Sequence, residues 1–441
     1  MLPYNGEGSH YTSMAVIGES LVSNGHNVTF LLSDVFQFRA RNPSHASMFT
    51  FEIYPHHLGE KRWNIRRRSE NERVLSGKGV ASEMLFAFND VMKNFSLDCE
   101  DMLKNFNLRD RLVRSSFDMA IVDPTSFCNI LIAQMLRIPH CTFVPISVVP
   151  NLARYFATPV NPAYSPSWQS GNPLRMTFLQ RVNNLLVDLS WSIFFNIVFF
   201  PVYDNLREIY NFRTDVDIRT GMTDSMFYLN FADWTLEYPI PSSPNVIGSV
   251  GLNIVAEKQS LNKAWTLFMA EHGDNFILIS FGTFVRGLPR RIINKVAMAL
   301  SKVPHTIIWQ MPEEVKLEHR SENVFVFEWV PMPALLAHNK TRLLISHAGI
   351  NSLYEALYYS KPVLAFPLFG DQFDLGRRLT DKKMGLSLDV HTSTTEEIVG
   401  AINELLDRSR QVRIDVQPKS IHFVFVSFSL CLCVYYSLYS E

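Results

Sequence analysis

The stretch that decides the fold is ISHAGINSLYEALYYSKPVLAFPLFGDQ, which covers Ile345–Gln372. An apolar run is followed by a Gly-containing turn, an amphipathic segment, a second apolar run and the polar pair Asp371-Gln372. This order predicts a strand, a helix and a second strand. The same alternation continues on both sides of the stretch and also runs through the first third of the chain. The sequence therefore predicts an α/β protein with parallel sheets and helices on both sheet faces.

The bulk composition narrows the class of protein. With 441 residues, the chain is long enough to form two domains. Its 41 basic and 42 acidic side chains nearly cancel, so it lacks the positive surface that a nucleic-acid partner requires. The five cysteines show no CxxC spacing, so we expect no zinc site and no obligatory disulfides. Three Asn-X-Ser/Thr sequons, at Asn27, Asn94 and Asn339, weakly favour a lumenal protein.

Domain boundaries follow from composition. The segment YPIPSSPNVIGSVG concentrates Pro, Ser and Gly, which is typical of a linker. We predict an N-terminal domain over residues 1–240, a linker over 241–252, a C-terminal domain over 253–411 and a divergent apolar tail over 412–441. Within the tail, residues 421–439 carry no charge and barely reach the length of a membrane span. A membrane segment and an irregular tail both remain open there.

A second apolar segment, FLQRVNNLLVDLSWSIFFNIVFF, covers residues 178–200. Asp188 and Asn196 interrupt it, which argues against a membrane-spanning helix. The favoured interpretation is a helix packed on the first domain. The alternative is a helix that contacts a bilayer or lines an apolar pocket.

Polar residues stand at the predicted strand ends of the C-terminal half, where open parallel sheets bind ligands. His347, Ala348 and Gly349 follow one strand and precede a helix, whose free N–H groups and dipole suit a diphosphate. Singly, such residues are more often turn, cap or core residues, but together they offer one contact for each part of a nucleotide sugar. The further candidates are Trp329 for the base, Asn351 and Ser352 for the diphosphate, Glu355 for the ribose, and Asp371 and Gln372 for the sugar.

The segment from Trp329 to Gln372 reads W-V-P-M, then S-H-A-G-I-N-S-L-Y-E, then P-L-F-G-D-Q. It resembles the signature of the UDP-glycosyltransferase family, closest to the animal UDP-glucuronosyltransferases, and the resemblance extends over roughly residues 8–410. It implies a GT-B fold, with two Rossmann-like domains facing across a cleft. The N-terminal domain would bind a small lipophilic acceptor, and the C-terminal domain would bind the UDP-sugar.

The resemblance also implies chemistry. His10 matches the family's catalytic base, Asp123 matches its partner, and Thr283 joins the diphosphate contacts. The implied reaction is inverting transfer of glucuronic acid or glucose from UDP to a hydroxyl, with no metal or other cofactor. It further implies detoxification at the lumenal face of the endoplasmic reticulum membrane, with association of the chain with itself or with relatives. By itself, GSHY at a helix start is more often an N-cap than a base.

Several positions depart from the family pattern. Met332 stands where the family usually has Gln, and Ala348 stands where many members have Gly, a change that costs little unless φ is positive there. Only nine residues precede His10, and MLPYN is a poor strand. We therefore expect an incomplete N-terminal domain that lacks its first strand and exposes the neighbouring strand edges. The alternative function is an inactive truncated member that binds UDP-sugar or pairs with full-length relatives.

Overall fold

The computed structural model describes residues 1–4, 6, 8–75, 93–94, 96–146, 150–156, 158, 160–248, 260–273, 275–282, 285, 288–311, 317–318 and 321–415. The predicted site residue Thr283 and the predicted apolar segment 421–439 lie outside these residues. The chain divides into two compact units. The first comprises Met1–Arg73, Lys78–Phe231 and Pro239–Gly248, and the second comprises Val74–Gly77, Ala232–Tyr238 and Ser249–Glu441.

Six parallel strands lie in the described residues of the first unit. β1 (Thr29–Ser33) pairs with β2 (Thr50–Tyr54), and a separate sheet has the order β3-β4-β5-β6. Its strands are Ala120–Val122, His140–Val144, Tyr228–Asn230 and Val246–Gly248. The helices are Gly8–Ser23, Pro43–Met48, Gly59–Val74, Phe106–Arg114, Cys128–Leu136, Pro150–Ala153, Phe178–Ile193, Phe200–Ile209 and Ile218–Thr223, with 3-10 turns at Asp34–Arg41 and Arg154–Phe156 and a π-helical turn at Phe194–Phe199. The helix Cys128–Leu136, almost wholly apolar, lies in the core beneath the second sheet.

The strand edges that we expected to be exposed are paired. Met1 exchanges backbone hydrogen bonds with β1, and Leu2 exchanges them with β3, at 2.6–3.1 Å. Leu2 forms an isolated parallel bridge to Val122 rather than a full strand, because Pro3 has no N–H to continue the ladder. These two extended residues are enough to cover the edge of β3, because β3 is only three residues long. The two sheets are thereby joined through Met1 and Leu2.

A disulfide that the cysteine spacing did not predict links Cys99 to Cys128. Both side chains are buried in the core of the first unit. Closing a loop of this length stabilises a fold by about 3–4 kcal/mol in the chain-entropy account. No local pattern marks the pair, since the cysteines are 29 positions apart in sequence.

The described part of the second unit forms one six-stranded parallel sheet with the order β12-β11-β10-β7-β8-β9. Its strands are β7 (Phe276–Ser280), β8 (Thr306–Gln310), β9 (Val324–Phe327), β10 (Thr341–Ser346), β11 (Val363–Ala365) and β12 (Gly385–Ser387). The helices are Lys263–Glu271, Arg290–Ser301, Met332–Ala337, Ile350–Tyr358, Gln372–Asp381 and Thr395–Asp415. The central strands are almost wholly buried, as expected for a parallel sheet covered on both faces.

Residues 232–238 group with the second unit, although the predicted boundaries place them in the N-terminal domain. The buried carboxylate of Glu237 forms an ion pair with the buried guanidinium of Arg378. The backbone N–H of Asp233 donates to the Tyr354 hydroxyl at 2.8 Å. Composition locates the Pro-rich linker that follows this segment, but it does not reveal these long-range polar contacts.

Candidate functional site

The structure brings the predicted pair His10 and Asp123 together in the first unit. His10 lies in the first turn of the helix Gly8–Ser23, and Asp123 directly follows β3. Nδ1 of His10 is 2.6 Å from Oδ2 of Asp123, whose side chain is fully buried. Because a carboxylate only accepts hydrogen bonds, Nδ1 carries a proton, and in the neutral ring Nε2 holds the lone pair. The histidine is therefore oriented as a base.

Three residues that sequence reasoning missed hold this pair in place. The backbone N–H groups of Tyr4 and Thr125 donate to the Asp123 carboxylate at 3.2 and 2.9 Å. The Tyr4 ring also contacts the His10 ring edge-on, with centroids 6.0 Å apart. The buried amide of Asn129 donates to the backbone carbonyls of Leu2 and Asp123 at 2.9 and 3.0 Å. The only sequence signal for this brace was an Asn six residues beyond the acid, in the first turn of the next helix.

The order in which strands are added to the second sheet reverses between β7 and β10. The candidate donor site lies at the carboxyl ends of these two strands. From β7 the chain proceeds to β8 and β9 on one side, whereas β10 leads to β11 and β12 on the other. Such a topological switch point opens a crevice at the carboxyl ends of the strands. His347 follows β10 directly, and Gly282 lies two residues beyond β7. The predicted histidine thus stands at the position where this sheet type binds ligands.

The His347 ring fits between two glycines. A Cβ added at Gly282 would lie 2.7 Å from His347 Cε1, and one added at Gly349 would lie 2.6 Å from the same atom. Gly282 also has φ +76°, which favours glycine on conformational grounds. Sequence reasoning assigned no role to Gly282, although a glycine just after a strand is a recognisable signal. The two glycines determine where the imidazole lies.

His347 is neutral at neutral pH. Its side chain is buried, and this burial lowers the pKa of the imidazole to about 4. The Ser346 hydroxyl lies 3.4 Å from its Nδ1. A neutral ring offers one N–H rather than two, so His347 brings a hydrogen-bonding group and no positive charge to the site.

The helix Ile350–Tyr358 begins beside this ring. Gly349 precedes it, and within the described residues no side chain caps its first turn, so the N–H groups there can bind an anion. Asn351 and Ser352 are half-buried in this turn, and the buried Oδ1 of Asn351 has no hydrogen-bond partner among the described residues. Ala348 has φ +64°, so the family's glycine is not a neutral exchange here. A left-handed alanine costs about 1–2 kcal/mol.

The remaining predicted donor contacts differ in exposure. Trp329 follows β9 and is 69% exposed, so its indole face is open. Glu355 and Asp371 are half-buried. Gln372 is buried, and its Oε1 accepts the backbone N–H groups of Leu368 and Phe369 at 2.9 and 3.1 Å. Gln372 therefore shapes its own loop, and a ligand contact from it would come from the Nε2 amide.

One cluster among the described residues has the composition of a metal site. Ligand atoms of His56, His57, Asp98 and Asp101, in the first unit, lie within 4.8 Å of one another. The Leu58 N–H donates to His56 Nδ1 at 3.1 Å, so His56 Nε2 holds the proton and faces Asp98 Oδ1 at 2.8 Å. In this arrangement His56 Nε2 points its N–H toward an acid and presents no lone pair.

The acids of this cluster also have counter-charges. Lys104 Nζ lies 2.6 Å from Asp101, and Arg66 lies 3.6 Å from Asp98. The charges balance within the chain, and the cluster is interpreted as a structural network.

Comparisons with known proteins identify the family of the chain. The family model described as UDP-glucoronosyl and UDP-glucosyl transferase matches residues 1–416. Human 2-hydroxyacylsphingosine 1-beta-galactosyltransferase is 28% identical over 401 residues, covering 90% of this chain and 71% of that protein. Mouse UDP-glucuronosyltransferase 2B17 is 27% identical over 431 residues, covering 94% and 79%.

A solved structure supports the fold. Os79 from O. sativa in complex with UDP superposes with a TM-score of 0.60 at 15% identity, covering 95% of this chain and 94% of that one. The two parallel-sheet units thus have the fold of the GT-B glycosyltransferases, as expected. With its family model matched over nearly the whole chain, this protein belongs to the UDP-glucuronosyl and UDP-glucosyl transferase family.

Proposed function

We propose that the protein is an inverting glycosyltransferase that moves a sugar from a UDP-sugar to a hydroxyl of a small lipophilic acceptor, giving a β-glycoside. One observation carries the proposal: the distance of 2.6 Å between His10 Nδ1 and the buried carboxylate of Asp123. A chain that only binds nucleotide sugar has no need of an oriented base in its other unit. The inactive alternative is therefore not favoured.

The chemistry follows from the tautomer. A neutral hydroxyl is a poor nucleophile, so a base must take its proton as the bond to the anomeric carbon forms. Nε2 of His10 accepts that proton, and the Asp123 carboxylate stabilises the imidazolium. The hydroxyl oxygen attacks opposite the UDP leaving group, the bond from the anomeric carbon to UDP breaks, and the configuration inverts.

The leaving group is UDP, which gains negative charge as the bond breaks. The N–H groups that begin the helix Ile350–Tyr358 would receive its diphosphate, together with Asn351, Ser352 and the neutral ring of His347. We propose Trp329 for the uracil, Glu355 for the ribose, and Asp371 and Gln372 for the sugar. With these donors in place, transfer needs no metal or other cofactor.

The sugar is a hexose or hexuronate. Two similar proteins carry galactosyltransferase and glucuronosyltransferase in their names, which supports glucuronic acid, glucose or galactose as the transferred group. We further propose a lumenal location at the endoplasmic reticulum membrane and a role in glucuronidation of lipophilic compounds. The Cys99–Cys128 disulfide supports an oxidising compartment.

The test separates binding from turnover. Calorimetric titration with UDP, UDP-glucuronate, UDP-glucose and UDP-galactose ranks the donors, and a panel of lipophilic phenols and alcohols then tests transfer. We expect His347→Ala to weaken UDP binding, and His10→Ala to bind UDP normally while losing turnover. Donor binding without transfer to any acceptor, in a chain whose His10→Ala variant behaves identically, would support the inactive alternative.

A further inference from the structure

The helical stretch from Phe178 to Ile209 turns the polar side chains of Asn184 and Asp188 inward. Asn184 is fully buried, and its Oδ1 accepts the Ser167 N–H at 2.7 Å. Asp188 accepts two hydrogen bonds from Arg154 Nη2, each at 2.9 Å. These contacts bind the polar face of the helix to the body of the first unit.

The opposite side of the same helix is apolar and exposed. Its side chains are between 43% and 77% exposed, and we call them the outward apolar face: Phe178, Leu179, Val182, Leu185, Leu186, Leu189, Ile193 and Ile197. At about 100° per residue, those up to Ile193 fall within an arc of roughly 120°. An ordinary surface helix has the reverse polarity, with its apolar stripe toward the core.

This polarity requires an apolar environment outside the protein. The face extends for about 30 Å along the helix axis. Contiguous exposed apolar surface of this extent marks an interaction site rather than ordinary solvent-facing surface.

We propose that the outward apolar face docks on the surface of a lipid bilayer, with the helix lying in the plane of the interface. The face consists of aliphatic and aromatic side chains without a charge, whereas protein interfaces combine apolar contacts with frequent hydrogen bonds. Arg175 and Arg181 are exposed at the start of the helix, where their guanidinium groups can reach anionic headgroups. This arrangement is typical of an interfacial helix.

The helix lies on the bilayer rather than crossing it. By length and composition, the stretch Phe178–Ile209 is the one helix within the described residues that could span a membrane. Crossing would place Asn184 and Asp188 in hydrocarbon and break their hydrogen bonds to the unit, which is unfavourable. The proposal does not depend on transferase activity.

The direct test introduces a tryptophan into the full chain. Leu189→Trp places an indole on the outward apolar face, and Val113→Trp places one at a similarly exposed position on the helix Phe106–Arg114. With vesicles of bromine-labelled phosphatidylcholine and about 30% phosphatidylserine, we expect added fluorescence quenching for Leu189→Trp only. Equal quenching in Leu189→Trp and the wild type, whether or not the chain binds vesicles, overturns the proposal.

A second experiment adds charge to the face. We expect the Leu186→Asp/Leu189→Asp double variant to partition onto the same vesicles at least about ten-fold more weakly, and Val113→Asp to partition as the wild type. Both should melt at the wild-type temperature, since the replaced side chains are exposed. A different outcome would assign the face to a second copy of the chain. In that outcome the wild type is a dimer that the double variant converts to monomers, the wild type does not partition onto vesicles, and lipid adds no quenching at position 189.

Discussion

Nδ1 of His10 lies 2.6 Å from Oδ2 of Asp123, and the acid is held by two backbone N–H groups. The acceptor-only carboxylate determines which ring nitrogen carries the proton. An amide can donate instead of accept, so Asp123→Asn allows the other tautomer, in which Nε2 is protonated and cannot act as a base. We expect kcat to fall on the order of 10³–10⁴-fold while the Kd for UDP is unchanged. A loss below about ten-fold would show that the tautomer is set by other groups.

Trp329 offers a prediction that separates binding from stability. Because the side chain is 69% exposed, Trp329→Ala should leave the melting temperature nearly unchanged. Stacking of a base on an aromatic ring contributes about 1–3 kcal/mol, so UDP affinity should fall roughly 10–100-fold. Trp329→Phe should retain most of the affinity in the same calorimetric titration. Wild-type UDP binding by the Ala variant would remove Trp329 from the site.

Substitutions at two adjacent positions beside the His347 ring should have different effects on UDP binding. A methyl group at Gly349 would overlap the His347 ring at 2.6 Å, so Gly349→Ala should displace the imidazole and weaken UDP binding at least about ten-fold. Ala348→Gly relieves the strained φ of +64° and should leave the affinity unchanged. Calorimetric titration of both variants checks this, and equal affinities would show that the ring position does not matter for the donor.

Burial lowers the pKa of His347 from 6.5 to about 4. Between these values the unfolded chain binds a proton that the folded chain does not, so acid favours unfolding. The contribution of the neutral ring to stability is fully present above about pH 6.5 and is lost progressively as the pH falls to about 4, by about 3 kcal/mol in total. We expect His347→Asn to flatten this part of the melting-temperature profile. Parallel wild-type and variant profiles would contradict the burial argument.

The ion pair between Glu237 and Arg378 predicts a large effect far from any ligand. Both groups are buried, so Arg378→Ala leaves an unpaired carboxylate and should lower the free energy of unfolding of the second unit by about 3–5 kcal/mol. The neighbouring pair Arg377–Asp381 is partly exposed, and Arg377→Ala should cost less than about 1 kcal/mol. Chemical denaturation measures both, and similar losses would mean that burial does not set the strength of the pair.

Local pattern determined much of the second unit. The apolar runs at β7 and β10 and the period of the helix Ile350–Tyr358 follow from the side chains alone, because apolar spacing directly reflects which faces are buried. The resemblance at Trp329–Gln372 indicated the family, which the family model confirmed. The His10–Asp123 pair came from resemblance, since no local rule joins residues 113 positions apart.

Contacts between residues far apart in sequence determined the pairing of the N-terminal residues and the orientation of the helix that begins at Phe178. The extended pair Met1–Leu2 joins two sheets because β1 and β3 supply donors and acceptors on both sides, which MLPYN by itself does not reveal. The helix beginning at Phe178 shows the same limit. Its sequence establishes that one face is apolar and the other polar. Only the tertiary structure decides which face turns outward, because Ser167 and Arg154 hold Asn184 and Asp188 against the protein.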